Sequence, residues 1–172
     1  MQQFFRIFLD IVLWRRGPQD LPASQLLLAI AVTGYVLVSV VQLAMLRETA
    51  ATWLFFVLVD PLLLLGWTWL VLRIFGKTDR FLQTATAIFG ASVALGVVLY
   101  LPLQALLTAS GQDPASGASQ AVALLLVVAF AFVSGRILKI ATDTSLITGI
   151  AISLTYFMVV NLLVGMLRGP GT

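Results

Sequence analysis

The 172-residue sequence contains no cysteine and no histidine. Their absence excludes disulfides, thiol nucleophiles, imidazole acid-base chemistry, and zinc or haem sites built on those side chains. Charge is also scarce, because only 10% of the residues are Asp, Glu, Lys or Arg, whereas soluble domains carry roughly a quarter. We therefore expect an integral membrane protein that uses no cofactor.

Apolar residues are abundant, at 60% of the chain, and the mean hydropathy is +1.06. A helix needs about 20 predominantly apolar residues to cross a hydrocarbon core roughly 30 Å thick. The segments that meet this requirement are 24–46, 52–74, 82–109, 119–138 and 144–167. Because the joins between them are short, the sequence predicts an all-α fold: one compact bundle of five transmembrane helices, without a second domain.

Residues 1–16 are too short to span a bilayer and have a two-sided pattern. Gln3, Arg6 and Asp10 share one face of the predicted helix, while aromatic and aliphatic residues cover the remainder. We expect this segment to lie as an amphipathic helix in the cytoplasmic interface, in contact with membrane lipids. A helix packed beneath the bundle is the alternative.

The ends of the predicted spans differ in basic charge, which sets orientation because Lys and Arg near a span end resist translocation. One end of the five-span bundle carries Arg6, Arg15, Arg16, Arg73, Lys77, Arg80, Arg136 and Lys139, and the other end carries Arg47 and Arg168. The sequence therefore predicts a cytoplasmic N-terminus and an outer C-terminus. Since these residues form no continuous stripe, we expect no nucleic-acid partner.

Asp60 is the one ionisable residue placed well inside a predicted span, and Pro61 follows it. Such a residue must face the interior of a bundle. It is either a proton or cation site, aided by carbonyls that Pro61 leaves free, or a hydrogen-bonding group that joins helices. The polar residues available as its partners, or as the lining of a pathway, are Tyr35, Gln42, Gln104 and Asn161.

Small residues recur at helical spacing on two of the spans. Gly90 with Ala94 and Ser92 with Gly96 lie on the third span, and Gly149 with Ser153 lies on the fifth. Pairs of this type allow close packing of helices in membranes. The sequence has no phosphate-binding glycine loop, nucleophile elbow, metal cluster or paired catalytic carboxylates, so we do not expect an enzyme.

The stretch GKTDRFLQTATAIFGASVALGVVLYLPL begins with a basic turn and continues into a small-residue helix. It resembles the corresponding stretch of Yip1-domain membrane proteins in a glycine and basic turn, a following Phe, a small-residue helix and a later Pro. The matching residues are Gly76, Lys77, Phe81, Thr84, Gly90 and Pro102, and Arg80 belongs to the same turn. The turn is expected on the cytoplasmic face as a topology signal, with recognition of a partner as the alternative.

This resemblance implies a short, bacterial-type, non-enzymatic protein of the inner membrane. Eukaryotic Yip1-domain proteins are trafficking adaptors that engage small GTPases, largely through a long hydrophilic N-terminal region. Here about 23 residues precede the first span, so binding of a GTPase is not carried over.

Three functions remain open from the sequence. The first is a scaffold, adaptor or assembly component that acts through helix contacts with a second copy of itself or with another membrane protein. The second is a small transporter or channel component in which Asp60 is the intramembrane proton or cation site. The third is lipid handling by the N-terminal helix.

Overall fold

The computed structural model describes residues 2–46, 50–111 and 116–168. Within these ranges every regular element is helical, which confirms the all-α fold class. Side chains are described for residues 6–46, 50–111 and 116–166. Arg47 and the side chain of Arg168, which enter the charge count above, lie outside the described part.

Within the described residues, six helices longer than a single turn make up this architecture, and a short 3-10 turn, Pro18–Asp20, lies between the first two. A short helix, α1 (Gln2–Val12), precedes five long ones: α2 (Gln25–Leu46), α3 (Ala50–Ile74), α4 (Thr78–Ala109), α5 (Gly117–Thr142) and α6 (Leu146–Arg168). Each of the five is long and apolar enough to cross a membrane. Their bounds depart most from the predicted ranges, by four residues each, at the start of α4, which begins at Thr78, and at the end of α5, which continues to Thr142.

The five long helices form a closed ring. Helix α2 packs on α4, α4 on α5 and α5 on α6, and α3 completes the ring between α6 and α2. The part of α3 that follows Asp60 also contacts α4. Leu72 and Phe89, on these two helices, are fully buried there, so one end of the ring is filled by its own side chains.

Two of the long helices contain a wide, π-helical turn immediately before a proline. The turns are Phe55–Val59, ahead of Asp60 and Pro61, and Gly96–Tyr100, ahead of Pro102. Proline has no N–H to donate, and its ring clashes with the carbonyl four residues earlier. A π turn relieves this conflict, so α3 and α4 continue as single helices. The sequence predicted neither π turn.

Helix α1 packs across α4. The side chains of Phe8 and Ile11 are buried, and the Phe8 ring lies so close to Gly90 that a Cβ atom at this glycine would overlap it. The described part of the apolar face of α1, at Phe8 and Ile11, is therefore covered by protein, as in the alternative arrangement beneath the bundle. Location of its polar face in a membrane interface stays a prediction.

The predicted small residues contact other helices of the same chain. Gly96 faces Val38 of α2, and Ala94 is buried. On α6, Gly149 meets the backbone of Gly135 on α5, and nearby Ser134 donates a 3.0 Å hydrogen bond to Ser153. Ser92 donates to the Ile88 carbonyl of its own helix at 2.8 Å.

The basic turn between α3 and α4 binds the end of α5. The Arg80 guanidinium donates to the carbonyl oxygens of Ile140 and Ala141, at 3.2 and 3.1 Å, and to the Asp143 carboxylate at 3.2 Å. Lys77 Nζ lies 2.7 Å from the other Asp143 oxygen. Arg80 thus caps the carbonyl end of α5, where a cation also complements the helix dipole.

Other residues of this turn shape the chain. Gly76 has a φ of 67°, a left-handed conformation that glycine adopts without steric cost. Phe81 begins the regular α-helical part of α4 and is half-buried. The turn therefore joins two helices and caps a third; whether it also faces the cytoplasm or recognises a partner stays a prediction.

Neutralising Asp143 tests this clamp. Its hydrogen bonds with Lys77 and then Arg80 hold the pKa of Asp143 below its ordinary value. A depressed folded-state pKa means that the stabilisation is present above the unfolded-state pKa of about 4 and is lost as pH falls through the folded-state pKa. We expect Asp143→Asn to lower the unfolding temperature slightly at pH 7, and the deficit to shrink as pH falls below about 4.

Thermal unfolding of detergent-solubilised protein between pH 3 and 7 measures this effect. Asparagine tolerates the left-handed backbone at this position, where φ is 57°, so the substitution isolates the charge. Asp79→Asn, in the neighbouring turn, is the matched control and is expected to behave as wild type. A deficit in Asp143→Asn that did not change with pH would contradict the charge clamp.

Candidate functional site

Three helices meet at Asp60. This residue lies on α3, ten positions or about 15 Å of helix after Ala50, and is only 2% exposed. The Tyr35 hydroxyl on α2 donates to one carboxylate oxygen. The Tyr156 hydroxyl on α6 lies 2.6 Å from the other oxygen and 3.3 Å from the Asp60 backbone carbonyl. Two phenols from different helices therefore hold one buried acid in place.

Neighbouring rings fix the positions of both phenols. The Tyr35 ring meets Phe89 edge to face, with centroids 5.2 Å apart, and the Tyr156 ring lies 6.1 Å from the Trp67 ring. Pro61 is buried directly after the acid. Because these groups are packed before any ligand arrives, the hydroxyls are preorganised around the carboxylate.

The structure brings together only some of the polar residues that the sequence singled out. Tyr35 donates a hydrogen bond to Asp60, and Gln42 lines a cavity that lies beside the acid. Gln104 instead donates to the Ser119 carbonyl at 3.3 Å. Asn161 is exposed and donates to the Phe157 carbonyl of its own helix at 2.8 Å. Neither of these two amides lines the cavity.

Sequence reasoning missed Tyr156, the second phenol at the acid. It is one of several bulky residues on an apolar helix, and its sequence separation from Asp60 gives no signal of contact. Its position near the middle of α6, ten residues after Leu146, nevertheless puts it at about the same depth as Asp60, which lies near the middle of α3. Depth matching between polar side chains on different spans is the signal that could have found it.

A cavity of about 330 Å³ lies beside the acid and is lined by residues from all five long helices. It extends from Leu64, one turn beyond Asp60, to Leu46 at the end of α2. Leu64 is buried and Leu46 is only partly buried, so the cavity extends from the closed interior toward the end of the bundle opposite the basic turn. The polar lining residues are Tyr35, Ser39, Gln42, Asp60, Ser92 and Tyr156.

The described residues that line the cavity include an acid, Asp60, but no basic residue. None of them is Lys or Arg. A carboxylate has about four lone-pair sites, and the two tyrosines leave some of them for another donor. An ionised acid in such surroundings needs a counter-charge, and because none of the described lining residues supplies one, a proton or an external cation is the available source. The arrangement can therefore bind and release a positive charge.

The described residues do not offer a multi-ligand metal centre. Among residues 2–46, 50–111 and 116–168, no group of three or more Asp or Glu side chains is placed to hold a metal ion. Among the described residues that line the cavity, Asp60 is the only acid. Its chemistry is that of a single carboxylate with two phenol donors.

Comparison with known proteins does not assign a function to these residues. No family model, no curated protein and no solved structure matches the chain. The resemblance to Yip1-domain proteins therefore stays a prediction, and the function proposed next depends on the residues of the cavity alone.

Proposed function

We propose that this chain is a non-enzymatic, integral inner-membrane protein of the small transporter or channel-component type, in which Asp60 takes up and releases a proton or cation through the cavity. The observation that carries this proposal is the cluster of Asp60, Tyr35 and Tyr156 at the buried end of the cavity, without a basic partner among the lining residues. A purely structural hydrogen-bonding group would not need the cavity.

The position of the cavity supports a directional role. The basic residues Lys77, Arg80 and Arg136 lie at the closed end of the ring, and basic ends of membrane proteins face the cytoplasm. Under this orientation the cavity extends outward, with Asp60 at its floor, while packed side chains of α3 and α4 close the inner half. Release of the bound charge to the cytoplasm then requires this inner half to open.

The scaffold or adaptor function, with a second copy or another membrane protein as partner, has less support. Its basis in the sequence was the set of small residues on two spans. Gly90, Gly96 and Gly149 contact Phe8, Val38 and Gly135 of the same chain. They therefore offer no free surface to a partner, and no other described contact favours this candidate.

Ion flux into liposomes tests the proposal. Purified protein is reconstituted with an entrapped pH dye or, in parallel, an entrapped Na⁺ dye, and a potassium diffusion potential, negative inside, is imposed in the presence or absence of Na⁺. We expect the wild type to carry H⁺ or Na⁺ inward, and Asp60→Asn to lower the flux at least about tenfold, since loss of the buried charge removes the cation's partner.

Asp79→Asn is the matched control, because it removes an acid of the basic turn and leaves the cavity intact. Both variants are compared with the wild type for elution as a single species and for unfolding temperature before the flux is measured. An Asp60→Asn protein that is folded and carries the wild-type flux would end the proposal.

A further inference from the structure

We propose that the cation bound in the Asp60 cavity is a lipophilic amine, a compact organic cation whose ammonium group binds beside the Asp60 carboxylate, next to the rings of the two tyrosines, and whose apolar body fills the remaining space. This inference rests on the proposed function, because it names the class of ligand for the same site. The volume of the cavity, the residues that line it and the charge of Asp60 each support this inference.

The volume exceeds what a simple ion needs. One water molecule occupies about 30 Å³ in the liquid, and pockets for small organic ligands begin near about 300 Å³. The cavity has about 330 Å³. It therefore has room for an aromatic or branched aliphatic group in addition to the ammonium group beside Asp60.

The lining away from Asp60 is hydrocarbon. Phe56, Leu95, Leu126, Phe130, Phe157 and Val160 are among the side chains that face the cavity. A small hard cation would need several oxygen ligands in place of its water. Beyond Asp60 and the two tyrosines, the described lining offers side-chain oxygen atoms only at Ser39, Gln42 and Ser92. The surface available to the ligand body is therefore largely apolar, which favours an organic molecule.

The polar end of the cavity fits an ammonium group. Asp60 supplies the counter-charge, and its carboxylate retains lone pairs beyond those used by the two phenols. The rings of Tyr35, Phe130 and Tyr156 also border the cavity, and aromatic faces attract organic cations, most strongly where water is excluded. An anion would be repelled by the carboxylate, and a neutral ligand would leave its charge to be compensated by a proton instead.

Benzyltrimethylammonium is the probe, because its charge is permanent and its body is aromatic; benzyl alcohol is the neutral counterpart. Binding to protein in lipid nanodiscs is measured by calorimetry. We expect the wild type to bind the cation at least about tenfold more tightly than the alcohol, and Asp60→Asn to lose most of this preference. Equal binding of the two probes would overturn the inference.

Two neighbouring valines provide matched variants for the apolar part. Val127 lines the cavity, whereas Val128 is 45% exposed on the outside of the same helix. Val127→Phe should fill the cavity and weaken binding of benzyltrimethylammonium at least about tenfold, while Val128→Phe should bind as wild type. Leu126→Phe is a second filling variant if Val127→Phe does not fold. Wild-type binding in a folded filling variant would overturn the inference.

The two proposals can fail separately. Flux that depends on Asp60 without specific binding of benzyltrimethylammonium would overturn the lipophilic-amine inference and leave the ion-transport proposal standing. Binding that depends on Asp60 and on the space at Val127, in a protein that carries no flux, would support the ligand class and overturn transport as the function.

Discussion

Replacing Gly149 with alanine is expected to destabilise the helix bundle more than any other single-methyl change in the described chain. Gly149 on α6 lies against the carbonyl group of Gly135 on α5, and a Cβ atom at Gly149 would overlap that carbonyl oxygen. The obstructing atoms belong to a backbone, which cannot rotate away as a flexible side chain can. Helices α5 and α6 must therefore separate, and their packed interface is lost along its length.

We expect a loss of about 3 kcal/mol or more in the free energy of unfolding, at the upper end of overpacking effects. Unfolding in mild detergent, followed by helical circular dichroism, measures it. Gly165→Ala on the same helix is the matched control, since a Cβ atom there meets no atom within 4 Å. Alanine also favours a helix over glycine by up to about 1 kcal/mol, so the control should be neutral or stabilising. Similar stability of the two variants would contradict the close crossing.

The five long helices could be predicted because bilayer thickness imposes one strong requirement, a run of about 20 apolar residues. Asp60 could be singled out for the same reason, since an acid inside such a run is costly. Tyr35 was on the short list of partners because it is polar and lies in mid-span. These inferences need only one helix at a time, and a single sequence contains that information.

Contacts between helices could not be predicted in the same way. Arg80 caps the end of α5 some 60 residues away, and its sequence neighbourhood shows only a basic turn. Gly135 had no predicted role, since its importance appears only when Gly149 lies against it. The amphipathic pattern of α1 shows that one face is apolar, but whether lipid or protein covers that face depends on a groove on α4 that includes Gly90.

Replacing Asp60 with leucine is expected to destabilise the protein through the two tyrosines that it leaves behind. Tyr35 and Tyr156 donate to the two oxygens of the carboxylate, and Tyr156 is only 6% exposed. A buried donor without an acceptor costs about 1 to 3 kcal/mol. Hydrogen bonds between membrane helices are on average weaker, at about 0.6 kcal/mol. The Tyr156 hydroxyl can still donate to the backbone carbonyl of residue 60, 3.3 Å away, so the loss comes mainly from Tyr35, and we expect about 1 to 3 kcal/mol.

The cause of this loss can be isolated by adding Tyr35→Phe to each background. In the wild type this substitution removes a hydrogen bond from the carboxylate and should lower stability. In Asp60→Leu it removes an orphaned hydroxyl and should raise stability, so the effect of one substitution changes sign with the residue at position 60. Such a reversal is a coupling between groups in contact, measured by unfolding all four proteins in the same detergent.

Ser92→Ala, which alters another residue of the cavity wall, is the control and should have the same effect in both backgrounds. An equal cost of Tyr35→Phe in both backgrounds would show that the phenol and the acid are not energetically linked, and the cluster would then be no basis for a charge-binding site.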